Sequence, residues 1–218
     1  MIRILLIRDL RLAVRGAAGT GLSLAFMALF VLLCGIAMGG SQTALGPGLI
    51  WLAATLSALL GLDRLYQPDQ HCGALAQMHL SGVSDLQLAT AKTLSFVLTG
   101  LAPLILITPL LALLLEMDGP AITGTLLSLI IGAPAIAVYS SLTAALLASQ
   151  RGSGVLAVIL TGPLLIPILI FGTSAAGAFA VEGLAAMQFR ILAGLSFIAV
   201  ALGIPFTVAA LAANRGPA

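Results

Sequence analysis

Side chains able to do chemistry are scarce in this chain, and their spacing excludes most of what they could do. Its 218 residues hold two histidines, two cysteines, nine basic and seven acidic side chains. His71 and His79 invite haem or metal ligation, but eight positions apart on one short helix they diverge by about 80°. They read better as solvated polar residues. Cys34 and Cys72 make no C-x-x-C pair, so the chain lacks a disulfide framework, a zinc site and a covalent haem attachment. Leu32-Leu33-Cys34-Gly35 faintly resembles a lipoprotein cleavage box, yet the bulky Leu33 and the apolar stretches beyond make Cys34 a core residue. A nucleotide-binding P-loop needs G-x-x-x-x-G-K-[ST], and the single lysine, Lys92, stands in Ala91-Lys92-Thr93 with no glycine ahead of it. The absence of G-x-S-x-G and of any histidine in an apolar stretch argues against an intramembrane protease.

The elements that would position such groups follow from composition. At 61% hydrophobic and 7% charged, the chain is an integral membrane protein rather than a soluble domain, where about a quarter of residues are charged. Its charges fall in clusters, and each gap between clusters can be tested against the roughly 20 residues that cross a bilayer. The 47 uncharged residues between Arg15 and Asp63 hold two crossings, with Gly39 to Thr43 and Gly46-Pro47-Gly48 as the turn. Spans are expected near 18–38, 47–62, 92–115, 120–149, 155–177 and 191–213, six in all, in one transmembrane domain covering 1–218. Arg3, Arg8, Arg11, Arg15, Arg64, Lys92, Arg151 and Arg215 then share the side of the N-terminus and only Arg190 lies opposite, which makes both termini cytoplasmic. None of these spans contains an ionisable residue away from its ends. Ion-driven transport, which binds its coupling ion at membrane depth, is therefore disfavoured, although unwound carbonyls at proline breaks could still bind sodium. Without a P-loop, any ATPase must be a separate chain.

Residues 1–16 are too polar to span but carry ample apolar surface, and at 100° per residue Arg8, Arg11 and Arg15 share a narrow face. That pattern fits an interfacial amphipathic helix with its arginines at anionic headgroups, or equally a basic tail that only sets topology. The cytoplasmic loop 63–91 carries a short helix of its own, opened by Pro68-Asp69 with Asp69 as cap and closed by Ser81-Gly82. Ser84 and Gln87 have capping-box spacing where the chain re-enters the membrane. The outward stretch from Ala176 to Arg190 is expected to be a longer connection. Trp51 and Tyr66 suit interfacial anchoring. Pro163 and Pro167, four apart, are expected to kink the fifth span.

Several ordered stretches resemble the membrane subunit of the cytochrome c maturation ABC system, the haem exporter protein B family. They are Arg8-Asp9-Leu10-Arg11 with Arg15, Pro47-Gly48-Leu49-Ile50-Trp51, Leu62-Asp63-Arg64-Leu65, then Asp69, Gly73, Leu75 and Ala91-Lys92, Met117-Asp118, and Pro163-Leu164-Leu165-Ile166-Pro167 running into Ile170-Phe171-Gly172. The resemblance implies an all-α permease of the ABC-2 type in a bacterial inner membrane. It implies pairing with a cytoplasmic ATPase that holds the ATP, with haem-handling membrane subunits, and indirectly with a periplasmic haem chaperone. Haem is then a possible substrate rather than a cofactor of this chain. In permeases of this class the loop after the second span docks into the ATPase. The resemblance thus makes the 69–80 helix a coupling helix, with Asp69, Gly73, Leu75, Met78 and Leu80 as candidate contacts, although Gln77-Met78-His79-Leu80-Ser81-Gly82 departs from the family's usual leucine- and proline-rich pattern there. Two other readings stand beside it: an ABC permease for another lipid-like or polymeric substrate, and a non-transporting scaffold for haem-handling subunits.

Overall fold

The computed structural model describes residues 2–15, 18–39, 45–149 and 154–214. Among them there is no strand; ten α-helices form the chain. Helix α1 (Ile2–Arg15) precedes α2 (Ala18–Met38), α3 (Gly46–Leu59), α4 (Asp63–His71), α5 (Ala74–Leu80) and α6 (Asp85–Phe96). A π-helical stretch, Val97–Leu101, joins α6 to α7 (Ala102–Leu114), and α8 (Gly119–Leu146), α9 (Gly154–Glu182) and α10 (Met187–Ala213) follow. Six of the resulting rods are long and apolar enough to cross a membrane: Thr20–Met38, Gly46–His71, Asp85–Leu114, Gly119–Leu146, Val155–Glu182 and Met187–Ala213. Residues 40–43 of the expected first turn, and residues 150–153 between the expected fourth and fifth spans, lie outside the described residues.

Helix α8 is the hub and packs against α3, α4, α6, α7, α9 and α10. Inside lipid there is no hydrophobic drive between helices, so close approach depends on small residues. Gly132 of α8 and Gly172 of α9 flank the Trp51 indole, and a Cβ at Gly132 would stand 2.5 Å from Trp51 Cη2. Trp51 is fully buried and donates its Nε1–H to Ser128 Oγ at 2.9 Å. Tyr66 is also fully buried, its hydroxyl 2.9 Å from Ser141 Oγ. Both aromatic residues were expected at the interface. They instead fasten α3 and α4 to the serines of α8, because a buried indole or phenol needs a polar partner and α8 offers one at each level.

The third span begins at Asp85, where Ser84 and Gln87 form the capping box, Gln87 N–H donating to Ser84 Oγ at 3.3 Å and Ser84 N–H to Gln87 Oε1 at 3.4 Å. Lys92, expected at the span's edge, consequently stands two turns inside a continuous helix. The π stretch precedes Pro103, which has no N–H and whose ring would press on the carbonyl one turn back; one inserted residue relieves both. Pro163 and Pro167 lie inside α9, which continues through both as one helix. The stretch 176–190 is mostly helical as well: α9 runs to Glu182 and α10 starts at Met187, with one 3-10 turn, Gly183–Ala185, between them.

Candidate functional site

Two turns into α1, Arg8 and Asp9 face α4, the end of the second rod, and the start of the third. Helix α1 packs along α6 and the π stretch. Leu5 and, one turn on, Asp9 are both buried in that contact. Asp9 is therefore carried inward on the same face that seats the helix. From α4 comes Asp69 and from α6 comes Lys92, both buried. Lys92 Nζ lies 2.5 Å from Asp69 Oδ2 and 3.2 Å from Asp9 Oδ2. Arg8 Nη2 donates to Asp69 Oδ1 at 2.5 Å and its Nη1 to Asp69 Oδ2 and Asp9 Oδ1 at 3.2 Å each. Two cations and two carboxylates thus form a closed, neutral cluster that ties three helices together.

The electrostatics are not symmetric. Burial pushes the Asp9 carboxyl above its usual range, with the nearby Lys92 and Arg8 cations pulling the other way. The Arg8 guanidinium is held above its ordinary value, chiefly by its hydrogen bonds to Asp69. Asp69 has the tighter contacts and Asp9 the looser ones.

Beside the cluster opens a cavity of about 370 Å³, walled by α1, α2, the end of α3, α4, α6 and the π stretch. Asp9, Asp69 and Lys92 form part of its floor, Ser57 and Ser95 part of its wall, and Arg64 also lines it.

The expected docking helix differs from its sequence reading. Asp69 caps nothing: it sits within α4, and its carboxylate is consumed by Arg8 and Lys92. Gly73, in the left-handed conformation at φ +73°, ends α4 and lets α5 start afresh at Ala74. Leu75 points inward at 5% exposure, whereas Leu80 is 89% exposed. Met78 is half-buried. Asp69 and Leu75 are accordingly placed as internal struts, leaving Gly73, Met78 and Leu80 toward the surface. His79 is not merely solvated, for its Nε2 lies 2.8 Å from Asp85 Oδ1 and clips α5 to the start of α6. Of the three arginines expected to share an interfacial face, Arg11 is exposed, Arg8 turns into the cluster, and the Arg15 side chain lies outside the described residues. Cys34 is half-buried rather than fully in the core, and Cys72 is exposed in the turn between α4 and α5. The cluster itself escaped sequence reasoning. Its signals were an acid embedded among the arginines of α1 and a single lysine placed where a span begins.

Among the described residues no group of three or more His, Cys, Asp or Glu side chains is arranged to hold a metal ion. An all-helical set of described residues with six rods long and apolar enough to cross a membrane marks a multi-pass membrane protein. The profile described as CcmB protein matches residues 1–214, and the chain belongs to that family. It is 38% identical over 212 residues to heme exporter protein B of Rhodobacter capsulatus, covering 95% of this chain and 96% of the relative. Against the protein of the same name from Paracoccus denitrificans it is 37% identical over 215 residues, 94% and 95% of the two chains. With that of Escherichia coli K12 it shares 35% over 210 residues, 93% of each.

Proposed function

We propose that this chain is the permease subunit of an ATP-driven complex that serves haem delivery to the periplasm during c-type cytochrome biogenesis. In this reading it lies in a bacterial inner membrane with both termini cytoplasmic. Its partners are a cytoplasmic ATPase, haem-handling membrane subunits and, indirectly, a periplasmic haem chaperone. The observation that carries the reading is the end-to-end match to relatives called heme exporter protein B. The coupling element is α5, which follows the cluster's helix α4 across Gly73, packs Leu75 inward and is clipped to the start of α6 by His79–Asp85, with Leu80 protruding. A helix joined in this way to two spans can pass a push from below into the bundle. The two histidines lie at the end of α4 and in α5, so none stands in the middle of a span to ligate haem iron. This favours using hydrolysis to release the haem-loaded chaperone from a neighbouring subunit over passing haem through this bundle.

Co-expression with the partner ATPase tests the docking claim. The intact chain is expected to co-purify with it, and Leu80→Asp to abolish the pairing while leaving the permease folded. Unchanged co-purification of Leu80→Asp together with Met78→Asp would overturn it. A deletion strain is expected to accumulate haem-free c-type cytochromes; normal maturation there would favour another lipid-like or polymeric substrate. Full maturation with a catalytically dead ATPase would instead favour the scaffold.

A further inference from the structure

The cavity beside the cluster is not accounted for by ATPase docking. It lies at one end of the bundle, since Thr20 and Ser23 belong to the first turns of the α2 rod and Ser57 and Ala58 to the last turn of α3. Its chemistry has two poles. Ser57 is fully buried and its Oγ has no hydrogen-bond partner, a costly state for a hydroxyl away from water. Arg64 is exposed, and among the described residues no carboxylate lies within ion-pair distance of it. Together they form an anion-accepting pole. Asp9, with only 3.2 Å contacts to its two cations, is the less satisfied carboxylate of the cluster and forms a cation-accepting pole. Leu12, Leu65 and Phe96 supply an apolar wall.

We propose that this cavity binds the headgroup of a phosphoethanolamine lipid, its ammonium against Asp9 and its phosphate between Arg64 and the Ser57 hydroxyl. At ~30 Å³ per water the cavity equals about a dozen waters, enough for such a headgroup and its glycerol ester. A purely anionic head would bring no cationic donor to the Asp9 lone pairs that Arg8 and Lys92 leave over, and would meet the carboxylate's repulsion. The headgroup supplies the missing acceptor for Ser57, a counter-ion for Arg64 and a third cation for Asp9, while the acyl chains leave along the apolar wall. The lipid so bound would wedge between α1 and the α3–α4 junction.

The test uses the full-length chain, delipidated in detergent and titrated with short-chain phosphatidylethanolamine, phosphatidylcholine or phosphatidylglycerol, with bound lipid counted by native mass spectrometry. Phosphatidylethanolamine is expected to bind about tenfold more tightly than either competitor, the worth of one charge-assisted hydrogen bond, because choline has no N–H and glycerol no cation. Asp9→Asn, which takes the charge from the ammonium's partner, is expected to erase that preference, while Arg64→Gln, on the exposed rim, and Ser57→Leu, which fills the cavity, are each expected to weaken all three lipids alike, with helical content unchanged. Arg64→Gln keeps the test valid should Ser57→Leu misfold. Equal binding of the three lipids by the wild type, stronger binding of phosphatidylglycerol, an unaltered preference in Asp9→Asn or an unaltered affinity in Arg64→Gln would overturn the assignment. None of these outcomes depends on ATPase docking.

Discussion

Asp69→Asn isolates what the four-charge cluster contributes. The change keeps the shape of the side chain but removes the anion that receives both Lys92 Nζ at 2.5 Å and the Arg8 fork. Lys92 is then left with Asp9 alone at 3.2 Å, its side chain 8% exposed. Removing one partner of a buried pair costs about 3–5 kcal/mol, against about 0–1 kcal/mol for an exposed pair. The Arg8 side chain is 34% exposed, so its share is screened, and Arg8→Gln is expected to cost only about 1 kcal/mol. Asp69→Asn should thus shift the unfolding equilibrium by roughly two orders of magnitude or more, and Arg8→Gln by about fivefold. Trp51 is the only tryptophan, fully buried against α8, so its fluorescence during denaturant titration in micelles reports the core directly. Tryptic cleavage within α1 reports, in parallel, whether that helix has come away. If Asp69→Asn costs no more than Arg8→Gln, and α1 stays equally resistant, the cluster does not clamp the helices.

Asp9 binds a proton more readily in the folded chain than in the unfolded one, because burial raises its pKa, so its contribution to stability grows as pH falls from neutral toward the ordinary carboxylate range. Asp9→Asn should remove that increment, and unfolding of the two proteins measured from pH 7 to pH 4 should show the wild type gaining on the variant. Gly132→Leu drives a side chain into the Trp51 ring and should cost about 1–3 kcal/mol or more, read as a red-shifted emission and a lowered midpoint. Tyr66→Phe leaves the buried Ser141 hydroxyl without its phenol and should cost about 1 kcal/mol, with Tyr66→Phe/Ser141→Ala recovering part of it in the same assay.

Charge clusters and gap lengths were enough to count the membrane rods, because hydrocarbon forbids unpaired charge over about 20 residues and any gap of that length stands out. Capping at Ser84 was legible for the same local reason, as a hydroxyl and an amide three positions apart need nothing from the rest of the fold. Trp51 and Tyr66 were misread because each looks like an interfacial residue by position, and Asp69 because an acid after a proline looks like a helix cap. Only the tertiary partner decides otherwise, and Ser128, Ser141, Arg8 and Lys92 lie far from them in sequence. The break at Gly73 was hidden in a stretch whose polar character permits one helix or two. The π stretch had a visible cause in Pro103, but a proline predicts disturbance without saying whether the helix bends, breaks or takes in a residue.

The cluster also changes the ground on which gradient-driven transport is judged. From the sequence, the case rested on spans empty of ionisable groups away from their ends. The structure instead buries Asp9, Asp69 and Lys92 together, with Asp69 and Lys92 inside membrane-crossing rods. A site that carries a coupling ion must exchange it, so its carboxylate has to alternate between an ion and another partner at modest cost. Asp69 is held by three donors from two cations, and losing them would strand a desolvated Lys92. That pairing makes Asp69 a structural anion. Asp9, with looser contacts and a raised pKa, is the one member able to change partners without dismantling the rest. It does so facing a cavity at the bundle's end, which suits a headgroup better than a path for ions across the bilayer.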